Sequence, residues 1–202
     1  SGALTAADNA VTFKSVVQTI ARRNGLYADF SPKPLMHESG NGLHINVSVK
    51  SNDRKDLTES FMAGILEHAA EMTVFLNPVK ESYKRLGEKK APKYVTWSPE
   101  NRSQLIRIPA VKNEENRRIE LRSPDPSANP YTAYALIIYA GLDGIKRGLK
   151  PEPACNTNLF TADNDITDGL VSLPDTVEKA KSIALKSAFI KEVLPQGYTE
   201  EI

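Results

Sequence analysis

The densest chemistry in the chain lies in Arg117-Arg118-Ile119-Glu120-Leu121-Arg122, followed by Ser123-Pro124-Asp125-Pro126. With a strand's period of two, Arg118, Glu120 and Arg122 share one face and Ile119 and Leu121 the other. Alternating charge of this kind also suits a solvated sheet edge. Here an Arg-Glu-Arg face is flanked by apolar residues and stopped by a proline corner. Guanidinium forks match carboxylates and phosphates, and a carboxylate between them can hold a metal or keep the arginines apart.

A second constellation starts at His37-Glu38-Ser39-Gly40-Asn41-Gly42-Leu43 and runs into His44-Ile45-Asn46-Val47-Ser48-Val49. Alternation puts His44, Asn46 and Ser48 on a polar face and Ile45, Val47 and Val49 on an apolar one. A histidine beside a Gly-x-Gly loop suits a metal and a nucleotide, although Gly-x-Gly alone is equally a flexible turn before a half-exposed strand. Arg102 stands at the mouth of a third strand, and Arg107 lies inside it. An unpaired guanidinium in an apolar strand is costly, so Arg107 is expected to face an anion or a carboxylate.

The elements that must position these residues follow from periodicity. Thr5 to Asn24 reads as an amphipathic helix with Arg22 and Arg23 in its last turn and Gly25 closing it. Leu26 to Phe30 reads as a short strand, and Ser51 to Lys55 as a polar hairpin or loop. Glu59 to Asn77 reads as one helix ended before Pro78, with His68 a structural residue inside it. Lys93–Trp97 and Leu105–Ile108 read as strands around the turn Ser98-Pro99-Glu100-Asn101. Asn129-Pro130 opens a helix that is apolar nearly all round to Lys146, capped by Gly148. Pro151 to Ser172 reads as irregular, and Asp175-Thr176-Val177-Glu178 as the start of a last helix through Val193.

Composition is that of a globular chain: 202 residues, 40% hydrophobic and 25% charged, with formal net charge +1. Near-neutral charge without an aromatic–basic stripe argues against nucleic acid and an anionic membrane surface as partners, so the arginine clusters need local explanations. Cys155 is the single cysteine, which leaves no intrachain disulfide and points to a cytoplasmic setting. No apolar run approaches the roughly 20 residues that cross a bilayer.

Three stretches together resemble the catalytic domain of type I glutamine synthetases. One runs from Lys33-Pro34-Leu35 through Gly40-Asn41-Gly42-Leu43-His44. Another joins Ser82-Tyr83-Lys84-Arg85-Leu86 to Ala91-Pro92, Asn101-Arg102-Ser103 and Ile106-Arg107-Ile108-Pro109. The third runs from Arg117 through Pro124-Asp125-Pro126 and Asn129-Pro130-Tyr131 to Ala140-Gly141-Leu142-Asp143-Gly144-Ile145. The resemblance implies an α+β fold: a curved, mainly antiparallel sheet, a partial barrel, with helices on its outer face and the site on its polar concave face. It implies ATP-dependent ligation of ammonia to L-glutamate through γ-glutamyl phosphate, a reaction in which arginines and divalent metal ions stabilise charge on the transferred phosphoryl group.

By the same resemblance His44 and Glu120 match ligands of a magnesium or manganese ion on the ATP phosphates. Ser39, Gly40, Arg85 and Arg122 match positions that hold glutamate, with Arg122 clamping its α-carboxylate. Arg102 and Arg107 match phosphate-facing arginines, and Arg102 also borders substrate. Asn46 and Ser48 match nucleotide contacts, with Arg118 at their border. The family assembles as double rings of subunits.

The sequence departs from the family pattern in places. Asn46 stands where many members have a second histidine. Lys90 stands where a flap glutamate is expected before Ala91-Pro92, with Glu88 the nearest substitute for its catalytic role. Phe160 stands where some members carry a modified tyrosine. The altered flap keeps open a γ-glutamyl-amine or polyamine ligase, and a non-catalytic glutamate- or ATP-binding homologue is a further alternative. Residues 1–202 read as part of the catalytic domain, without the β-grasp domain, the early strands with their Glu-x-Glu carboxylates or the final helices. Ser1-Gly2-Ala3 reads as a trimmed start. One histidine and one glutamate do not satisfy magnesium's six-fold demand, so this stretch alone is expected to be inactive and to bind metal and ATP weakly.

Overall fold

A computed structural model describes residues 2–53, 55–113 and 116–199. Arg54 of the expected 51–55 loop and Ser1 of the expected trimmed start lie outside the described residues.

The sheet is built from β1 (Ile45–Val47), β2 (Trp97–Ser98), β3 (Ile106–Arg107) and β4 (Ile119–Leu121), in the spatial order β1-β4-β3-β2. β4 runs antiparallel to both β1 and β3. β2 keeps only Trp97 of the expected 93–97 strand and takes in Ser98 of the expected turn, and it pairs with β3 in parallel. The loop between them turns twice. Ser98 Oγ accepts the Asn101 N–H at 3.1 Å, and Asn101 Oδ1 accepts the Ser103 N–H at 2.9 Å. The chain thus re-enters the sheet in its former direction, and the Ile108 N–H donates to the Ser98 carbonyl at 3.1 Å.

The described helices are α1 (Ala3–Arg23), α2 (Thr58–Glu67), α3 (Ala69–Leu76), α4 (Lys80–Tyr83), α5 (Pro130–Arg147), α6 (Asn164–Thr167), α7 (Val177–Lys186) and α8 (Ala188–Val193), of which α2, α3, α5, α7 and α8 share a core with the sheet. The fold is α+β, and the sheet does not close on itself. Its core joins Ile106, Ile119 and Leu121 of the sheet to Met62, Ile65, Met72, Leu136 and Ile137 of the helices, all fully buried. Each such side chain contributes roughly 1.5–3 kcal/mol through burial.

α2 and α5 approach closely enough that their backbones touch. A Cβ on Gly64 would lie 2.0 Å from the Ala140 carbonyl oxygen, and one on Gly144 would lie 2.2 Å from that of Ser60. Only glycine permits this contact. α5 begins as expected, with Asn129 Oδ1 accepting the Tyr131 N–H and Pro130 at the first position, and ends at left-handed Gly148. No described helix is long and apolar enough to cross a membrane.

Several expectations are corrected. The segment 26–30 is not a strand. The Leu26 N–H closes α1 on the Ala21 carbonyl at 2.9 Å, and Leu26 and Tyr27 are exposed. Without a partner, β propensity alone does not make a strand. The expected helix from Glu59 to Asn77 is two helices broken at His68, whose imidazole contacts Glu71 and Asp143 and stacks on Phe189 at 3.9 Å. No glycine or proline marks that break, so the cause is tertiary. The expected last helix is likewise divided, because the Ser187 hydroxyl leaves the helical run to cap α8 by accepting the Ile190 N–H. Four residues of the segment read as irregular form α6. The strands are also shorter than their alternation suggests, and α5 exposes Tyr131, Tyr139 and Leu142 rather than being buried all round.

Candidate functional site

The sheet register brings the two opening constellations together. Glu120 of β4 sits opposite Asn46 of β1 on one side and opposite Arg107 of β3 on the other. A residue's cross-strand partners share its face, so all three side chains project from the same side. Ile119 and Leu121 enter the core on the other side as read from the alternation.

Glu120 is the hub. Its Oε2 accepts from Arg107 Nε at 2.7 Å and from Arg122 Nη1 at 3.2 Å. Its Oε1 lies 3.3 Å from His44 Nδ1. Glu120 and Arg122 are both buried, at 8% and 4% exposure, which rules out a solvated edge. Burial pushes the Glu120 carboxyl up, but the hydrogen bond from Arg107 and the charges of Arg122 and Arg107 outweigh it and hold the group below its ordinary 4.5. Burial and the charge of Arg122 hold the His44 imidazole below its ordinary 6.5. At neutral pH it is uncharged and keeps a lone pair for a cation.

Around this hub positive charge exceeds negative. Arg122 Nε also donates to the Arg102 carbonyl at 3.1 Å, and the exposed Arg102 side chain lies close enough for its charge to act on Arg122. Arg85, only 3% exposed, leaves the end of α4 and crosses to the segment after β4. Its Nη1 donates to the Ser123 carbonyl at 2.6 Å and its Nη2 to the Arg122 carbonyl at 3.2 Å. Burial lowers the Arg85 guanidinium to about 10, and the charge of Asp125 is the main opposing influence.

The glycine loop lies against these groups. A Cβ on Gly42 would meet Arg85 Nη2 at 2.7 Å and His44 Nε2 at 3.1 Å. One on Gly40 would meet the Pro32 carbonyl oxygen at 2.3 Å and Arg85 Cγ at 2.9 Å. The Gly-x-Gly spacing is therefore a packing requirement of the arginine. Lys33, buried at 8%, holds the loop's shape by donating from Nζ to the Glu38 carbonyl at 2.7 Å. In the sequence, the one sign of a role for Lys33 is its place at the head of the Lys33-Pro34-Leu35 stretch.

The remaining site candidates lie farther out. Arg118 Nε donates to Asn46 Oδ1 at 3.2 Å, and Ser48 follows β1 as an exposed residue. Ser39 lies half-buried in the loop before Gly40. Glu88 is exposed in the turn beyond α4, where its backbone N–H donates to the Arg85 carbonyl at 3.1 Å. Lys89 and Lys90, next along, both adopt positive φ, 20° and 74°.

As a metal site the arrangement is partial. His44 Nδ1 and Glu120 Oε1 fit as two donors, but the other Glu120 oxygen is taken by two arginines. Among the described residues no group of three or more His, Cys, Asp or Glu side chains converges to hold an ion. An octahedral cation bound here needs further oxygens from substrate, water or other protein segments. The arginines, by contrast, make a ready-made anion receptor.

The family model for the glutamine synthetase catalytic domain matches residues 1–202, the whole chain. The chain belongs to the glutamine synthetase catalytic-domain family. It is 44% identical to a glutamine synthetase of Staphylococcus aureus over 95% of its length, 42% to one of Methanosarcina mazei and 41% to one of Clostridium saccharobutylicum. It spans 46% of each of these proteins, about half their length. Among solved structures it resembles a GmaS/ADP complex with TM-score 0.85 and 31% identity, covering 97% of this chain and 48% of that one. A ligand-free GmaS structure matches with TM-score 0.83 and 30% identity, again over 97% of this chain and 47% of the other. Glutamine synthetase relatives and GmaS structures thus bracket the fold from sequence and from shape.

Proposed function

We propose that these residues form part of the active site of an ATP-dependent ligase that joins ammonia to the γ-carboxylate of L-glutamate through γ-glutamyl phosphate. The observation that carries this reading is a cluster of arginines: Arg107 and Arg122 hold the Glu120 carboxylate, Arg85 and Arg102 adjoin Arg122, and His44 lies beside Glu120. Membership of the family supports it, and the ADP-bound GmaS neighbour supports a nucleotide site.

In this reading Arg85, Arg122, Ser39 and Gly40 bind glutamate, with the rigid Arg122 fork aimed at its α-carboxylate. Arg107 and Arg102 face the phosphate in transit. Arg107 is anchored on Glu120 before substrate arrives, so charge developing on the phosphoryl group meets a preoriented donor there. Asn46, Ser48 and Arg118 line the nucleotide side. His44 and Glu120 would hold a magnesium or manganese ion, which when bound neutralises charge on the ATP phosphates. Glu88 is the flap carboxylate that takes a proton from the incoming amine. The complete protein is a homo-oligomer of ring form working in the cytoplasm, a setting that the lone Cys155 suits. Segments beyond these residues supply the remaining metal carboxylates and the β-grasp domain.

A second reading, an acceptor larger than ammonia, is favoured by the turn at Lys89 and Lys90. Lys90 stands where the flap glutamate is expected, and it and Lys89 both take positive φ, so the turn differs there in charge and in backbone shape. The full-length protein assayed with glutamate, ATP, magnesium and either ammonia or a panel of alkyl amines and polyamines separates the readings, with the amide product identified by mass spectrometry. Glutamine as the main product supports the first reading, and a substituted amide the second. ATP binding without any amide product refutes both.

A further inference from the structure

We propose that Asn77 and Asp125 are positioning residues for Arg85, fixing the carbonyl on which its guanidinium rests. The inference rests on the reading of Arg85 as a glutamate-binding residue, and it assigns roles to residues that reading leaves without one. Asn77 ends α3 and Asp125 follows β4, so the two join a helix to the strand segment that carries Glu120 and Arg122. Both are fully buried, at 0% exposure.

The network is specific. Asn77 Nδ2 donates to Asp125 Oδ2 and to the Ser123 carbonyl, both at 2.9 Å. The same Ser123 carbonyl accepts from Arg85 Nη1 at 2.6 Å. One carbonyl oxygen therefore receives both the asparagine and the arginine. The other Asp125 oxygen accepts from the Ser127 backbone N–H at 2.9 Å and from the Ser127 hydroxyl. The Asp125 N–H donates to the Leu76 carbonyl at 3.2 Å, tying the corner back to α3.

A buried carboxylate held entirely by neutral donors is costly unless a cation lies near. Arg85 is that cation: Asn77 links Asp125 to the Ser123 carbonyl on which the guanidinium rests, and the Asp125 charge opposes the effect of burial on Arg85. Arg85 donates from its guanidinium to two backbone carbonyls, those of Ser123 and Arg122. Neutral acceptors of this kind hold a guanidinium in place while leaving its charge available to a substrate carboxylate. Asn77 fixes where the carbonyl points, and Asp125 supplies the balancing charge.

The test uses the full-length protein carrying Asn77→Ala or the isosteric Asp125→Asn. Steady-state kinetics for glutamate and for ATP are measured alongside thermal melting, and the variants are crystallised. We expect the KM for glutamate to rise about tenfold while that for ATP changes less than about twofold, as for loss of a bond that orients a charged group. The crystal structures are expected to show Arg85 Nη1 displaced from the Ser123 carbonyl. Glutamate and ATP constants moving in the same proportion, Arg85 unmoved, or both variants failing to fold would each overturn the proposal. Wild-type protein that forms no amide product refutes the proposed function instead, and the position of Arg85 in the variants still decides this inference.

Discussion

Replacing Gly42 by alanine separates stability from function at this site. The added methyl would lie 2.7 Å from Arg85 Nη2 and 3.1 Å from His44 Nε2, and ordinary contact begins at 3.4 Å. Both contacts are the far ends of side chains, so they yield where backbone would not. The retreat of Nη2 weakens its 3.2 Å bond to the Arg122 carbonyl while the 2.6 Å bond of Nη1 to Ser123 persists. One weakened hydrogen bond costs about 1 kcal/mol of stability. Function is expected to suffer more, because a displacement approaching 1 Å in a positioned group costs up to about a hundredfold in kcat/KM. The assay is amide formation by full-length Gly42→Ala protein, with glutamate varied at saturating ATP and unfolding followed in urea. The expected result is a fall in kcat/KM for glutamate of about 10- to 100-fold with loss of about 1 kcal/mol in unfolding free energy. A variant with wild-type kcat/KM, or one whose activity falls only because it unfolds, refutes the argument that the loop is glycine-rich to admit Arg85.

Other expectations follow from the same contacts. Gly144→Ala forces its methyl into the backbone of α2, 2.2 Å from the Ser60 carbonyl oxygen and 2.6 Å from the Gly64 nitrogen. Urea unfolding should show a loss of about 3 kcal/mol, and a loss below about 1 kcal/mol would mean that the helices separate easily. Glu120→Ala deprives Arg107 and buried Arg122 of their shared acceptor, so stability should drop by about 3 kcal/mol. The same variant of the full-length protein should lose affinity for manganese in calorimetry, and unchanged affinity would remove Glu120 from the metal site. The Asp143 carboxyl is held below its ordinary 3.8 chiefly by the hydrogen bond from His68, with help from Arg147. The folded state therefore binds that proton less readily than the unfolded one. The associated stability is in place above the ordinary value and is lost as pH falls through the lower folded value. Asp143→Asn should flatten this acid limb when urea midpoints are measured from about pH 6 down to about pH 3, and an unchanged limb would exclude Asp143 as its source.

Much of the fold was legible where a local rule is strong. The Asn129-Pro130 start and the Gly148 end of α5 are local devices, satisfied by atoms a few residues apart, and both stand where they were read. The alternation around Glu120 correctly separated a core face from a polar one. Local rules failed where a distant partner decides. The break at His68 answers to Asp143 and Phe189, 75 and 121 positions away, and no residue type near it announces a helix end. The parallel pairing of β2 with β3 depends on how the intervening loop folds on its own side chains, which strand periodicity does not report.

For the site, the order of residues already says which chemical groups are present and which face of each strand they take, because side-chain direction in a strand follows from the pleat alone. It thereby marked His44, Arg107, Glu120 and Arg122 as residues with chemistry to perform. Packing alone brings Arg107 and Arg122 to one oxygen of Glu120 and His44 to the other, and carries Arg85 from the turn after α4 to the Ser123 carbonyl. Those contacts join strands and a turn far apart in the chain, and their geometry is set by sheet register and helix packing rather than by neighbouring residues. Asn77 and Asp125 show the same division: one closes a helix and the other turns a corner, and only the packing of α3 beside the end of β4 makes them partners.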